Sequence, residues 1–367
     1  MFKKVFFGIQ PRILIMFLIL SLAPVIVGVW ILFSHSEGCF IDVKGNEMSN
    51  LSEIAVQEVQ NHLKDLASQA DTLSFNYLLL ENVIKSNQAL PADDQAAMEQ
   101  ARALNDKWAT LTPENPDVQQ VISGPLPTYL KKFITIYNAY SQIVILNRIG
   151  AVVAATDMPG RFFHGGENWW NKAAQHYIDY GGYISDVQYT QNLKMPFRTE
   201  ISIPIFNPQR NFIGMILCTV QITDLDRVVR PFKFGNTGQV VIVSSDGTII
   251  SSQKFDLTNQ ETYDYFSQIQ PALEKNPKPF LLVTDSGRTV RIVGIPQSRI
   301  EQAFPELKWY LFTVQDYEDA MSPVYGLKST AMVYIIVVIL IVLLLAFWFS
   351  RELTKPIVEL DMHLDKL

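Results

Sequence analysis

Residues 142–155 read QIVILNRIGAVVAA, and residues 239–252 read QVVIVSSDGTIISS. The two stretches align at an offset of 97 residues: a glutamine, a β-branched strand, a turn with glycine at 150 or 247, and a second strand. Runs rich in Val, Ile and Thr on either side of a glycine-containing connection pair as antiparallel hairpins. The ends of the two regions also agree, Thr219-Val220-Gln221 in one and Thr313-Val314-Gln315 in the other. An internal repeat changes the fold expected of the whole chain. The simplest reading is two similar antiparallel α+β modules in tandem, over 141–230 and 236–318.

Further strands are expected around each hairpin. The first module adds Tyr183–Gln188, Thr199–Phe206 and Phe212–Thr223. In Thr199–Phe206, Ile201, Ile203 and Ile205 recur at period two, so one face of that strand is buried. The second module adds Pro279–Thr284, Thr289–Pro296 and Trp309–Gln315. Upstream, residues 46–90 carry apolar side chains every three or four positions: Met48, Leu51, Ala55, Val59, Leu63, Leu66, Ala70, Leu73, Tyr77, Leu80 and Ile84. That spacing is one stripe on a helix, and 40 such residues reach roughly 60 Å. The stripe serves a core, a dimer seam near the membrane, or each on different stretches. A second helix is expected over Ala92–Thr110, with Asp93 and Asp94 at its start, where the dipole favours acids. Loop signals follow at Pro113, Pro116, Gly124, Pro125 and Pro127, then a helix near Tyr129–Tyr137.

The chain is 48% apolar and 18% charged, below the roughly 25% charged of ordinary soluble domains. The excess is concentrated in two uncharged runs, Ile13–Phe33 and Ala331–Phe349. Each is long enough for a membrane helix, which needs about 20 apolar residues. Trp30, Tyr334 and Trp348 lie toward their ends, where aromatics prefer the interface. The first run exceeds a signal peptide's apolar core and lacks a small-residue cleavage site. We therefore expect spans at 13–33 and 329–349. Lys3, Lys4 and Arg12 precede the first, and Arg351 and Lys355 follow the second. Cytoplasmic flanks collect such charges. Residues 1–12 and 350–367 are expected in the cytoplasm and 34–328 outside it.

A net charge of −6 and the lack of a basic tract give nothing to nucleic acid. Cys39 and Cys218 are the two cysteines. Cys218 falls in an expected strand and reads as a small buried hydrophobe. Cys39 is an unpaired thiol or pairs with its copy in a dimer. Motifs for a nucleotide-binding loop, a serine nucleophile elbow, a zinc protease helix or a redox dithiol do not occur, so neither an enzyme nor a cofactor is expected. His164 and His176 lack ligand-spaced partners and read as surface histidines, and Asp246-Gly247 reads as a turn.

Several segments of the first module also follow one another in a recognisable order: Phe162-Phe163, then Glu167-Asn168-Trp169-Trp170-Asn171-Lys172-Ala173-Ala174, Gly182-Tyr183-Ile184-Ser185-Asp186-Val187, Glu200-Ile201-Ser202-Ile203-Pro204-Ile205 and Ile213-Gly214. With the two spans and the long helix, this order resembles the double Cache sensor domain of bacterial transmembrane receptors. The likeness covers residues 13–366. Ser350–Leu360, SRELTKPIVEL, is similar to the opening of a HAMP linker. The resemblance implies two PAS-like modules on a stalk helix, membrane-distal and membrane-proximal, in the bacterial inner membrane. It implies a receptor for a small extracellular molecule that passes a conformational signal to a cytoplasmic kinase, phosphatase or chemoreceptor partner. A homodimer is expected, since a second copy gives the spans something to move against.

A sensor pocket needs apolar walls and a few converging polar groups. The distal module offers Phe163, Trp169, Trp170, Tyr183, Asp186, Tyr189, Arg198 and Thr219 as ligand-binding candidates. Neighbours on a helix cannot both face one pocket, so one of Trp169 and Trp170 is expected in the core. Asp186 is either a ligand for an ammonium or a turn residue. Arg198 is either a carboxylate fork or a solvated strand-end charge. Amino-acid-sensing members of the family carry a basic residue where Glu167 stands and an acid near Thr219. These departures, with Glu167 and Asp186 acidic, suit a cationic ligand instead, on which aromatics stack. Two other classes stay open: a membrane-anchored structural protein, and an accessory subunit that binds a ligand without signalling.

Overall fold

The computed structural model describes residues 9–167, 169–173, 182–189, 197–221, 223–252, 261–275 and 278–364. His176 of the sequence reading lies outside them. The chain falls into two compact units, one spanning Gly45–Asp316 and the other formed by the segments before and after it.

The flanking unit holds two helices long and apolar enough to cross a membrane. Helix α1 runs from Ile9 to Asp71, with Pro24 inside it, and a C-terminal helix runs from Tyr317 to Leu364. Ile19, Leu20, Ile26 and Trp30 on one, and Val333, Ile336, Leu340 and Leu344 on the other, are exposed. Apolar side chains turned outward all along a helix suit a lipid solvent. Lys328 pairs with Glu37, and its ammonium sits 5.5 Å from the centre of the Phe33 ring.

The unit Gly45–Asp316 begins with the remainder of α1, the stalk. Its stripe is buried from Met48 to Leu73 and includes Ala55, Val59, Leu63, Leu66 and Ala70. The expected helix over 46–90 is not continuous. A 3₁₀ turn at Thr72–Phe75 ends it, and helix α2 restarts at Tyr77–Gln88. Ser74 Oγ bonds the Asp71 carbonyl at 2.7 Å, a side-chain bond that competes with helix propagation. Asn76 is extended and its side chain accepts from Leu79 N, capping α2. The break changes the phase of the stripe. Tyr77 and Ile84 are exposed, and Leu79 and Val83 are buried in their place.

Helix α3, Asp94–Trp108, carries Asp93 as its N-cap. The proline-rich stretch expected as loop contains helix α4, Pro116–Ile122, and the start of α5, Pro125–Ile136. Both begin on proline, which costs nothing at a first helical position, where the N–H has no partner in the helix.

The strands of the first module, labelled distal after the expectation from sequence, are β1 Tyr140–Asn147, β2 Val152–Ala155, β3 Tyr183–Ile184, β4 Gln188–Tyr189, β5 Phe197–Phe206 and β6 Phe212–Gln221. Their order is β2-β1-β6-β5-β3, with β4 also on β5. The proximal strands are β7 Gln239–Val243, β8 Ile249–Ser252, β9 Phe280–Asp285, β10 Arg288–Gly294 and β11 Tyr310–Asp316, in the order β8-β7-β11-β10-β9. The two orders are the same, and every pairing is antiparallel. Gly150 and Gly247 hold φ of 91° and 85° at equivalent hairpin turns, a conformation that favours glycine. The closing triplets end equivalent strands but differ in register by one residue: Gln142 faces Thr219, and Gln239 faces Val314.

One face of each sheet packs on the stalk side in a single core. It joins Val59 and Leu63 to Ile143, Ile201 and Ile203 of the distal sheet and Val240, Ile242 and Leu311 of the proximal one. Helix α6, Thr223–Val229, links the modules and adds Leu225 and Val229. The other proximal face is covered by helix α7, Phe266–Lys275, through Phe266, Ile269 and Leu273. The other distal face lies against Trp108, Val118 and Val121 of α3 and α4. Cys218 is buried and Cys39 exposed, both free thiols.

Leu63→Ala, in the shared core, is expected to lower unfolding stability by about 2–5 kcal/mol. Ile54→Ala, on the exposed side of the same helix, is expected within about 0.5 kcal/mol of the parent. Urea denaturation followed by tryptophan fluorescence checks both.

Candidate ligand-binding site

The period-two alternation of β5 turns Phe197, Ile201 and Ile203 into the stalk-side core. It therefore turns Arg198, Glu200 and Ser202 onto the opposite, inner face of the distal sheet. Glu200 stands across from Thr219 of β6, and Tyr183 of β3 stands across from Ser202. The inner face continues into an apolar cluster of Val144, Leu146, Met215, Leu217 and Tyr183, against which Trp169 and Trp170 pack.

Among the described residues, Arg198 Nε and Ser202 Oγ of this row are buried with no hydrogen bond. The Glu200 carboxylate accepts no hydrogen bond among the described residues, and burial pushes its pKa above the ordinary carboxyl range, against the pull of His164 and Arg198. Both ring nitrogens of His164 are buried, and neither makes a well-aligned hydrogen bond among the described residues. Its Nδ1 lies 3.5 Å from Glu167 Oε1. Buried polar groups are normally paired, so Arg198 Nε and Ser202 Oγ, unbonded among the described residues, single out this sheet face as the candidate site.

Glu167 is in a different state. Burial raises its pKa, yet contacts from His164 and Trp169 Nε1 and the charges of His164 and Arg161 bring it below the usual range. The two tryptophans stand 5.7 Å apart, edge to face. Trp169 is turned to the polar corner of Glu167 and His164, and Trp170 to Phe212 at the head of β6. Both are half-buried.

The structure brings Trp169, Trp170, Tyr183, Arg198 and Thr219 of the sequence-based set to this face and places the other three elsewhere. Phe163 packs in a separate cluster with Ala97, Ala101, Ile149 and Ala151. Tyr189 stacks on Phe197 at 5.1 Å, on the stalk side of the sheet, because it pairs with that residue in register. The Asp186 carboxylate is taken by Trp309 Nε1 at 2.6 Å and its own neighbour's N–H, Val187, at 2.8 Å. Neither Asp186 nor Glu167 is thus a free acid for a cation. His164, expected at the surface, has a side chain 11% exposed, because residues 163–165 fold back onto the β1–β2 turn through the His164 N–H to Gly150 carbonyl bond. Glu200 and Ser202 were missed. The signal was present: with isoleucines at 201 and 203, alternation alone assigns 198, 200 and 202 to one other face. Among the described residues no group of three or more His, Cys, Asp or Glu is placed to hold a metal.

Two topologically identical antiparallel sheet modules packed on one helix define a tandem-module α+β domain. The family comparison agrees. The Cache domain profile, in its double form, matches residues 42–324, and the chain belongs to that family. Solved structures to which the chain is similar include the ligand-binding domain of the Campylobacter jejuni chemoreceptor Tlp3 in complex with 4-methylisoleucine, at 12% identity and a TM-score of 0.48, covering 77% of this chain and 94% of that one. The ligand-binding domain of the Pseudomonas aeruginosa PAO1 amino acid chemoreceptor PctB with L-Gln matches at 18% identity and a TM-score of 0.38, covering 78% and 98%. No functionally curated protein matches the chain.

A buried hydroxyl without a partner costs about 1–3 kcal/mol. Ser202→Ala is therefore expected to raise unfolding stability by about 1 kcal/mol in urea melts. A loss of stability would mean that the hydroxyl is satisfied.

Proposed function

We propose that this chain is a transmembrane receptor whose distal Cache module binds a small molecule carrying an amine together with a hydrogen-bond acceptor. The observation that carries the reading is the row Arg198, Glu200 and Ser202 on the inner distal face. Glu200 would take the ammonium, since its carboxylate is the acid there that accepts no hydrogen bond among the described residues. Arg198 Nε and Ser202 Oγ, both donors, would take the acceptor. Trp169, Trp170 and Tyr183 supply flat walls, which suit an ammonium's methyl or methylene groups. Thr219 stands where amino-acid-sensing relatives are expected to carry an acid, and Glu200 on the adjacent strand restores one directly across from it.

The rest of the proposed receptor is drawn from the sequence. The apolar helices anchor the chain with residues 34–328 outside the cytoplasm. The segment after Arg351 begins a HAMP-like linker, and a homodimer passes the signal to a cytoplasmic kinase, phosphatase or chemoreceptor partner. A ligand shifts the equilibrium between two receptor states only by binding one of them more tightly. The role is binding and signalling, without turnover.

Calorimetric titration of the full chain in lipid nanodiscs with ethanolamine, choline, glycine betaine and L-alanine tests the ligand class. At least one amine is expected to bind, and Glu200→Gln is expected to weaken it by roughly tenfold or more, the worth of one charged hydrogen bond. Silence from all four, or equal binding by the variant, contradicts the assignment.

The same group predicts a pH dependence. Burial raises the Glu200 pKa in the folded chain, so folding favours the protonated carboxyl. The stability it contributes is full below the ordinary Glu range, about 4.3, and is lost as pH rises through the folded value. Thermal melts of the parent are expected to fall across that window relative to Glu200→Gln, which holds no titrating proton there.

A further inference from the structure

The wall of the distal site is fastened to the proximal module at two points. Lys172 lies in the helical turn 169–173 that also carries Trp169 and Trp170, and its Nζ stands 2.6 Å from Glu306 Oε2. That bond holds the Lys172 ammonium above its ordinary pKa. Asp186, just after β3, accepts from Trp309 Nε1 at 2.6 Å. Both proximal partners belong to the short connection 304–309, in which Phe304, Leu307 and Trp309 are buried. This connection runs directly into β11.

Strand β11 is in turn bonded to the stalk. Thr313 Oγ1 donates to the Met48 carbonyl at 2.8 Å, and Thr313 N donates to Ser52 Oγ at 3.1 Å. Ser52 Oγ also donates to the Gly294 carbonyl of β10 at 2.8 Å. A Cβ at Gly294 would come within 2.4 Å of the Met48 carbonyl carbon and 2.5 Å of Thr313 Oγ1. The helix and the two strands are therefore in contact with no intervening layer. Close-packed elements of this kind move as units and do not absorb a shift at one end.

We propose that Lys172 and Asp186 are positioning residues that couple the distal site to the stalk. They hold connection 304–309 to the wall formed by 169–173 and 183–189. A displacement of that wall is passed through β11 to the stalk at Met48–Ser52. The coupling itself needs no particular ligand; its use in signalling rests on the distal face being the ligand site.

Hydrogen–deuterium exchange of the full chain in nanodiscs tests it without a ligand. Lys172→Met is expected to speed exchange in peptides covering 46–53 and 310–316 by roughly two- to fivefold, the range a half-exposed ion pair supports. Glu306→Gln is expected to do the same, and the double variant no more than either alone, since the two share one interaction. The charge-swapped double, Lys172→Glu with Glu306→Lys, is expected to restore the parent pattern. Trp309→Phe keeps the ring, removes the donor to Asp186 and is expected to loosen the same two peptides. Changes confined to 169–189 and 300–309, or additive effects without rescue by the swap, overturn the coupling. Failure of amine binding leaves these exchange results untouched, so the two proposals fall separately.

Discussion

The apolar stripe of the stalk, buried from Met48 to Leu73, is the surface on which both sheets are assembled. Neither module closes a core of its own on that side. Ile201 and Ile203 of one sheet and Val240 and Ile242 of the other belong to one cluster through Val59 and Leu63. An antiparallel sheet with one face committed in this way has its other face left for a second purpose. The two modules answer that differently.

In the proximal module the second face is a packed interior. Val241, Val293 and Phe312 lie under Phe266 and Ile269 of α7. Its charged residue, Arg291, is matched by Asp316 at 3.4 Å, by the Tyr263 hydroxyl at 3.2 Å and by the Tyr265 ring. In the distal module the corresponding face carries Arg198 Nε and Ser202 Oγ without a hydrogen bond among the described residues, beside Glu200, whose pKa burial raises. Unpartnered buried groups reduce stability, and residues kept at such a cost are characteristic of sites that act on another molecule. Shared topology thus carries one inner face whose Arg291 is matched by neighbours and one on which Arg198 Nε and Ser202 Oγ are not hydrogen-bonded among the described residues.

The architecture was largely legible in the sequence. The hairpin repeat at 142–155 and 239–252 led to two modules, and the structure gives them the same strand order. The stalk was legible through Leu73 and misread beyond it, because the periodicity of Tyr77, Leu80 and Ile84 matches the same stripe while Ser74 and Asn76 divert the backbone. Prolines at 116 and 125 read as loop signals because their meaning depends on position: at a first helical turn they start helices. The candidate face was legible in part: aromatic and strand motifs pointed to Trp169, Trp170, Tyr183, Arg198 and Thr219, which the structure places on one face of the first sheet. Asp186 could not be sorted, since the partner that claims it, Trp309, lies in the other module. His164 looked like a surface residue because its burial depends on the fold-back of 163–165 onto the first hairpin turn, a contact without local pattern.

The most direct measurement is an experimental structure of the full chain in nanodiscs, solved with ethanolamine bound. The account requires the ammonium within hydrogen-bond distance of the Glu200 carboxylate and the hydroxyl against Ser202 or Arg198, between the inner distal face and Trp169. Ethanolamine seated on the proximal face beside Arg291 and Tyr265, or at the distal face without contact to Glu200, would contradict it.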